Sequence, residues 1–342
     1  MNPTLPAFGL LSMAVHPQWY NNNLLVHIIK QTKGANLFLS KIHFINLVFV
    51  ISFWTPQQSV AVNLVKYLAE FKTVKSGCMA RINGFPVINN FFYSSGTVTT
   101  GFNVSSFLEN GSNEVGLMMG PIDPNDNKTL FPDSRCEIII TTDGPASRHK
   151  ITTLVLSVDQ RAEINARSSS SYHGGASESR VDETQTKADV EQNLHSARRQ
   201  IKVTDIPQWA WANATPVSDK VLPELIDVYK NIWTLLNNRD IATLKSITSI
   251  SSFEMSLAEG LPPEVIFESY DLPQNVGNED LAPVKLEFEK YFLRTYSNGR
   301  VFRLIDGIYE NSPLRLQNKE GEIVYSYNPY FALINGKIVI VR

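Results

Sequence analysis

Residues 82–88 read INGFPVI, and this stretch decides how the first half of the chain folds. Asn-Gly between apolar flanks is the strongest short-range hairpin signal, because both central residues of a type I′ turn need positive φ. Asn83-Gly84 is therefore a type I′ hairpin turn or an edge feature of a sheet. Working outward, short β-rich runs recur at 97–103, 113–119, 136–142 and 151–158. Asn-Gly, Gly-Ser, Pro-Asn-Asp-Asn and Asp-Gly-Pro clusters separate them, and such clusters are turn punctuation. Strands of this length and spacing predict an all-β sandwich domain over residues 62–165.

The pattern then changes. Residues 166–200 hold four consecutive serines, Ser168 to Ser171, then Gly174-Gly175, then a polar run ending in Arg198-Arg199. So few large apolar side chains cannot offset the entropy of ordering the segment. A flexible linker is expected there, with a helical turn near 188–198.

A second domain begins near Ile201. Leu222, Leu225, Ile226, Tyr229, Trp233 and Leu236 recur at helical spacing, with Ser218 as the cap and Asn237-Asn238 as the end. Asp240 caps a second helix, Gly260 stops a third, and Pro262-Pro263 opens a fourth. After Leu281 the period becomes two. Val284, Leu286, Phe288, Tyr291 and Leu293 read as a strand, and Ser297-Asn298-Gly299 turns it into Val301, Phe302 and Leu304. Runs at 314–316, 323–327, 330–333 and 337–341 complete a sheet, with Asn335-Gly336 as its last turn. Helices first and antiparallel strands after make 201–342 an α+β domain.

The N-terminal segment speaks to location. Residues 1–61 carry Lys30, Lys33 and Lys41 but no Asp or Glu. Within them, residues 42–54 (IHFINLVFVISFW) are thirteen residues without a formal charge. A membrane span needs about 20, whereas this length suits a signal-peptide core. Ser59-Val60-Ala61 supplies a small-x-small pattern, placing cleavage between Ala61 and Val62 and the protein in the periplasm. Forty residues before the core are long for such a signal, which points to a true start near Leu37. An uncleaved anchor and a buried core segment are the competing readings. Gly77-Cys78 follows Lys75-Ser76 far beyond the apolar core, so it is not a lipobox.

Charge excludes one class of partner. The chain has 31 basic and 33 acidic residues, and 28 and 33 once residues 1–61 are removed, a net of −5. No basic excess of the kind nucleic-acid binding requires is present.

The chemistry-bearing residues are few. Residues 201–342 contain neither His nor Cys, so that half lacks the parts of a Ser-His-Asp triad, a Cys-His dyad or an ordinary zinc site. His149 sits between Arg148 and Lys150, as on an exposed loop. Cys78 and Cys136 are the two thiols, and in an oxidising compartment they form a disulfide or stay as free buried cysteines. A bridge would close a loop of about 60 residues, worth roughly 4 kcal/mol of chain entropy. Glu287 and Glu289, alternating on a strand, would stand about 7 Å apart, a glycosidase-like spacing or a solvated outer face. Asp271, Glu279 and Asp280 share a polar loop without EF-hand order. Arg148, Arg294, Arg300 and Arg303 are dispersed and form no phosphate cradle. Trp209 and Trp211 follow Pro207 at i, i+2, so both rings face one way in an extended segment. They serve either as partner-binding anchors or to dock the linker on its own domain. The loops at 121–127 and 271–279 are long, polar recognition surfaces or solvated turns.

Three resemblances add expectations. The stretch from Gly101 to Leu117 (GFNVSSFLENGSNEVGL), with Gly111, Asn113 and Val115 in place, resembles a recurrent piece of galactose-binding-like jelly rolls, which implies a sandwich but not sugar binding. LLNNRDIATLKSI followed by a curved sheet is faintly similar to cone-shaped nuclear-transport-factor-like domains, although the strand order departs from theirs. The whole arrangement, with QWAW and NGRVFRL in its second half, resembles exported immunity proteins that accompany antibacterial effectors of type VI secretion. That resemblance implies a non-enzymatic protein without cofactor or metal, whose partner is a toxic effector blocked by occlusion. The alternatives are a carbohydrate-binding or surface-attached module and a carboxylate-based hydrolase.

Overall fold

The computed structural model describes residues 65–144, 148–166 and 180–342. The expected signal segment, its cleavage point between Ala61 and Val62, and the Ser/Gly-rich part of the expected linker lie outside the described residues.

The chain is built mostly from antiparallel sheets, with helices gathered in its second half. The first sheet has the order β4-β1-β6-β7-β8, from β1 (Lys66–Val74), β4 (Val98–Asn103), β6 (Arg135–Asp143), β7 (Arg148–Val158) and β8 (Ile164–Ala166). Period-two alternation sets its faces: Tyr67, Ala69 and Phe71 of β1 and Ile138 and Ile140 of β6 point inward. The second sheet has the order β3-β2-β5-β9, from β2 (Gly77–Ile82), β3 (Phe85–Asn89), β5 (Gly111–Gly120) and β9 (His195–Val203). Ile82, Leu117 and Ala197 of this sheet share one apolar core with the first. Cys78 and Cys136 are bridged, with Cα atoms 6.0 Å apart, tying β2 of one sheet to β6 of the other. Asn83 (φ 52°) and Gly84 (φ 85°) form the hairpin turn between β2 and β3 with the positive angles a type I′ turn requires.

The linker expectation fails at its C-terminal end. His195–Val203 pairs with β5 along its whole length, and α1 (Lys187–Glu191) packs just before it. The polar composition concealed a strand alternation in which Ala197, Arg199, Ile201 and Val203 are buried. Glu183 and Gln185 fasten the approach to this strand through Ala166 and Ser196.

In the second half, α2 (Leu222–Asn237), α3 (Ile241–Ile247), α4 (Ser249–Glu259), α5 (Pro263–Ser269) and α6 (Leu272–Gly277) follow one another. Asp240 caps α3 by accepting from Thr243 N–H at 2.9 Å, and Gly260 ends α4 in the left-handed region at φ 73°. Ser218 caps no α-helix. It precedes a single 3₁₀ turn, Asp219–Val221, and makes no side-chain capping bond.

The expected strand at 284–293 is mostly absent. A short β10 (Ala282–Pro283) and a 3₁₀ turn at Phe288–Lys290 precede β11 (Phe292–Tyr296). The later runs divide between two sheets rather than one. β13 (Arg315–Gln317) and β14 (Ile323–Ser326) join β10, whereas β12 (Val301–Ile305), β15 (Phe331–Ile334) and β16 (Lys337–Ile340) join β11 in the order β11-β12-β15-β16. Tyr229, Leu225 and Ile232 of α2 pack with Phe302, Leu304 and Phe331 in a second core.

The two halves share their packing. Trp211, Tyr296, Val301 and Tyr330 belong to the same core as Phe85 and Leu117. Phe85 stacks on Tyr296 with ring centroids 5.0 Å apart. Polar straps cross the same boundary: Lys66 Nζ to Glu259 O at 2.9 Å, Asn103 Nδ2 to Ala258 O at 2.8 Å, and Arg300 Nη1 to Glu109 Oε2 at 2.8 Å. Among the described residues no helix is long and apolar enough to cross a membrane.

Candidate functional site

A cleft of about 380 Å³ is lined by the β11–β12 hairpin and by the β2–β5–β9 face that is turned from the shared core. Its floor follows from strand register. Arg81 of β2 pairs with Gly116 of β5, and Gly116 pairs with Arg198 of β9. The next row along β5 carries Met118, and the row before it carries Glu114. Phe292, Arg294 and Ile305 form one wall with the turn that follows β12, and Thr186 and Asp189 form the opposite one.

A buried ionic cluster borders the cleft through Arg81 and Glu310. Glu310 is 2% exposed and sits at φ 52°, a backbone conformation that costs a non-glycine residue about 1 kcal/mol or more. Its carboxylate explains how that conformation persists. Oε1 accepts from Arg81 Nη1 at 2.8 Å, and Oε2 accepts from Arg303 Nη2 at 2.8 Å and from the Tyr296 hydroxyl. Arg81 also donates to Gly84 O at 2.8 Å, so the cluster clasps the type I′ turn as well. Arg303 lies 4.2 Å from the Tyr330 ring centroid, a cation–π contact in a site closed to water. Burial opposes ionisation of Glu310, but the Arg81 and Arg303 guanidiniums and the Tyr296 hydrogen bond outweigh it and bring its pKa down to about 2. Burial pushes the Tyr296 hydroxyl well above the ordinary tyrosine range.

Asp189 on the opposite wall is held in the same manner. Burial raises its pKa, but hydrogen bonds from the Thr186 backbone and hydroxyl, with Arg198 nearby, bring it below the usual carboxylate value. Arg198 Nη2 donates to it at 3.1 Å and Arg198 Nη1 to Thr184 O at 2.7 Å. Both of these carboxylates therefore stay ionised at neutral pH, as structural anions. Neither has the raised pKa of a general acid.

The residues singled out in the sequence fall elsewhere. Trp209 and Trp211 are 1% and 0% exposed, so their rings offer no surface to a partner. Trp209 Nε1 donates to Leu108 O at 2.8 Å and to Ser105 O at 3.2 Å, and the Arg342 guanidinium lies 5.0 Å from its ring. They anchor the segment after β9 onto the body, which is the docking role. Glu287 and Glu289 do not alternate on a strand. They flank and occupy the 3₁₀ turn, where Glu287 pairs with Lys290 and its pKa is lowered by that hydrogen bond. Asp280 pairs with Lys319 at 2.5 Å. Among the described residues no three His, Cys, Asp or Glu side chains gather as metal ligands. His149 lies on strand β7, not on a loop, with an exposed side chain.

Of the arginines read as dispersed, Arg294 and Arg303 are direct cross-strand partners, and Arg300 makes a two-oxygen pair with Glu109. Arg81, Arg198 and Glu310 were missed. One signal pointed to them: Arg303 stands inside the apolar run VFRLI, and a charge buried in a strand requires an opposite charge from elsewhere in the fold.

No protein family matches this sequence, and neither a curated protein nor a solved structure matches it.

Proposed function

We propose that this chain is an exported, non-enzymatic recognition protein of the bacterial envelope, acting as an immunity protein that blocks a toxic effector by occlusion. In this reading the segment before residue 62 is a signal peptide, and the first two sheets are the leaves of a sandwich that carries the α+β half as a second domain. The observation that carries the proposal is the cleft between the halves: its buried acids are tied down by arginines, and its rigid walls suit surface complementarity. The disulfide between Cys78 and Cys136 is compatible with an oxidising compartment. Occlusion of this type buries about 1,600 Å² in total, and the net charge of −5 for residues 62–342 steers a basic effector at long range.

The test is protection. Cells that express a neighbouring gene product as a toxin are expected to survive when this protein is exported with it, and the two are expected to co-purify as a 1:1 complex. Absence of protection, or turnover of a substrate that disappears on Glu114→Gln, would refute the reading. The carbohydrate-binding alternative rests on the jelly-roll resemblance and on the Trp209/Trp211 pair, and the burial of both rings removes the second of these supports.

A further inference from the structure

We propose that the cleft seats an acidic side chain from an extended segment of the partner protein, held over Gly116 between Arg81 and Arg198, with an apolar side chain two residues along. This deepens the recognition reading above and rests on it.

The first argument is space. Neighbouring strands lie about 4.8 Å apart, so Arg81 and Arg198, two strands from each other, stand roughly 10 Å apart with only a glycine between them. A Cβ built at Gly116 would lie 3.6 Å from Arg81 Cβ and 4.0 Å from Arg198 Cγ, which are ordinary contacts. Gly116 thus lines the cleft without a side chain of its own, and a methyl there would meet no clash. This part of the cleft is floored by two guanidinium stems.

The second argument is charge. Arg81, Arg198 and Arg294 line the cleft against Glu114, Asp189 and Glu310. That lining balances three arginines against three carboxylates, and Glu310 is shared between Arg81 and the fully buried Arg303. Arg81 uses one nitrogen on Gly84 O and Glu310, and Arg198 uses two on Thr184 O and Asp189. Guanidinium carries five N–H donors, so each retains capacity for a further carboxylate. Arg294 at the mouth has no carboxylate within ion-pair range among the described residues. Glu114 lies one row away on the same strand face, so the anion is expected over Gly116 on the Met118 side.

The third argument is the apolar shelf on that side. Met118 packs with Met79, Leu194, Phe91 and Ile308 in a small cluster of its own. Beyond it Phe92, 41% exposed, stacks on Tyr309 with centroids 5.0 Å apart. Phe292, 53% exposed, stands on the facing wall. An extended ligand repeats its facing side chains every second residue, so an acid over Gly116 brings residue i+2 onto this shelf. A second copy of the chain is a poor occupant through the β11 edge, because two-fold pairing about Arg294 would set like charges opposite each other.

The experiment uses the full exported chain, ¹⁵N-labelled, titrated with the peptide acetyl-Thr-Glu-Ser-Phe-Thr-amide, its Gln analogue, and glutarate. The Glu peptide is expected to shift the Gly116 and Arg198 amides, with binding at least tenfold weaker for the Gln analogue and glutarate. Arg294→Glu, at an exposed position where folding is not at stake, is expected to weaken the Glu peptide about tenfold. Gly116→Val is expected to abolish binding. No shift at Gly116 with the Glu peptide, equal binding of the two peptides, or full effect from glutarate alone would each overturn the proposal. Protection from the effector that persists in Gly116→Val and Arg294→Glu would overturn this site while leaving the recognition role standing. Loss of protection in both variants, with the fold intact, supports it.

Discussion

Glu310→Gln is the most incisive single change. Its carboxylate is buried, carries two arginines and the Tyr296 hydroxyl, and holds a residue at φ 52°. Its pKa falls from the ordinary 4.5 to about 2 on folding. At about 1.4 kcal/mol per pKa unit, that gap corresponds to roughly 3 kcal/mol of native-state stability. Breaking one member of a buried ion pair costs about 3–5 kcal/mol on other grounds, because the fully buried Arg303 is left without its counter-charge. The two routes agree in size. A depressed folded pKa contributes fully above pH 4.5 and is lost as pH falls toward 2. Wild type is therefore expected to lose roughly 3 kcal/mol through this residue across that window, and Glu310→Gln to lack that part of the slope. Urea denaturation followed by tryptophan fluorescence at pH 7, 5 and 3 measures both quantities, and the difference between the two proteins cancels the other carboxylates. Stability at pH 7 within about 0.5 kcal/mol of wild type, or parallel pH dependences, would refute the reasoning.

Two further changes test the frame around the cleft. Replacing Cys78 and Cys136 by Ala together opens a loop spanning 58 residues and is expected to lower stability by about 4 kcal/mol in the loop-entropy model; a urea midpoint unchanged by the substitution would contradict a bridge that constrains the unfolded chain. Trp209→Phe keeps a ring but strands the Leu108 carbonyl, since Ser105 O still accepts from Leu108 N–H, for an expected loss of about 1–3 kcal/mol, read from thermal unfolding. An unaltered melting temperature with weakened partner binding would instead restore the surface role.

Much of the local architecture was legible in the residues themselves. Asn83-Gly84, Asp240, Gly260, Ser297-Asn298-Gly299 and Asn335-Gly336 mark turns and helix ends where the structure has them, because turn and cap chemistry acts within a few residues of its source. The strands from β4 to β7 and the helices from α2 to α5 follow from periodicity for the same reason. What failed depended on distant partners. HSARRQ looked like linker until β5 supplied an edge on which Arg199 and Ala197 turn inward. The run around Glu287 looked like strand, but no neighbouring strand pairs with it, and Lys290 closes it into a 3₁₀ turn. Of the two roles the sequence left open for Trp209 and Trp211, surface anchor or internal dock, only the closing of the halves over them decided for the dock. The cleft was least legible of all, since Arg81, Gly116, Arg198, Arg294 and Glu310 span more than two hundred positions. Composition and spacing determined which short elements form. Only tertiary packing decided which charges meet, because an arginine inside a strand is tolerable solely where a carboxylate from far along the chain is brought to it.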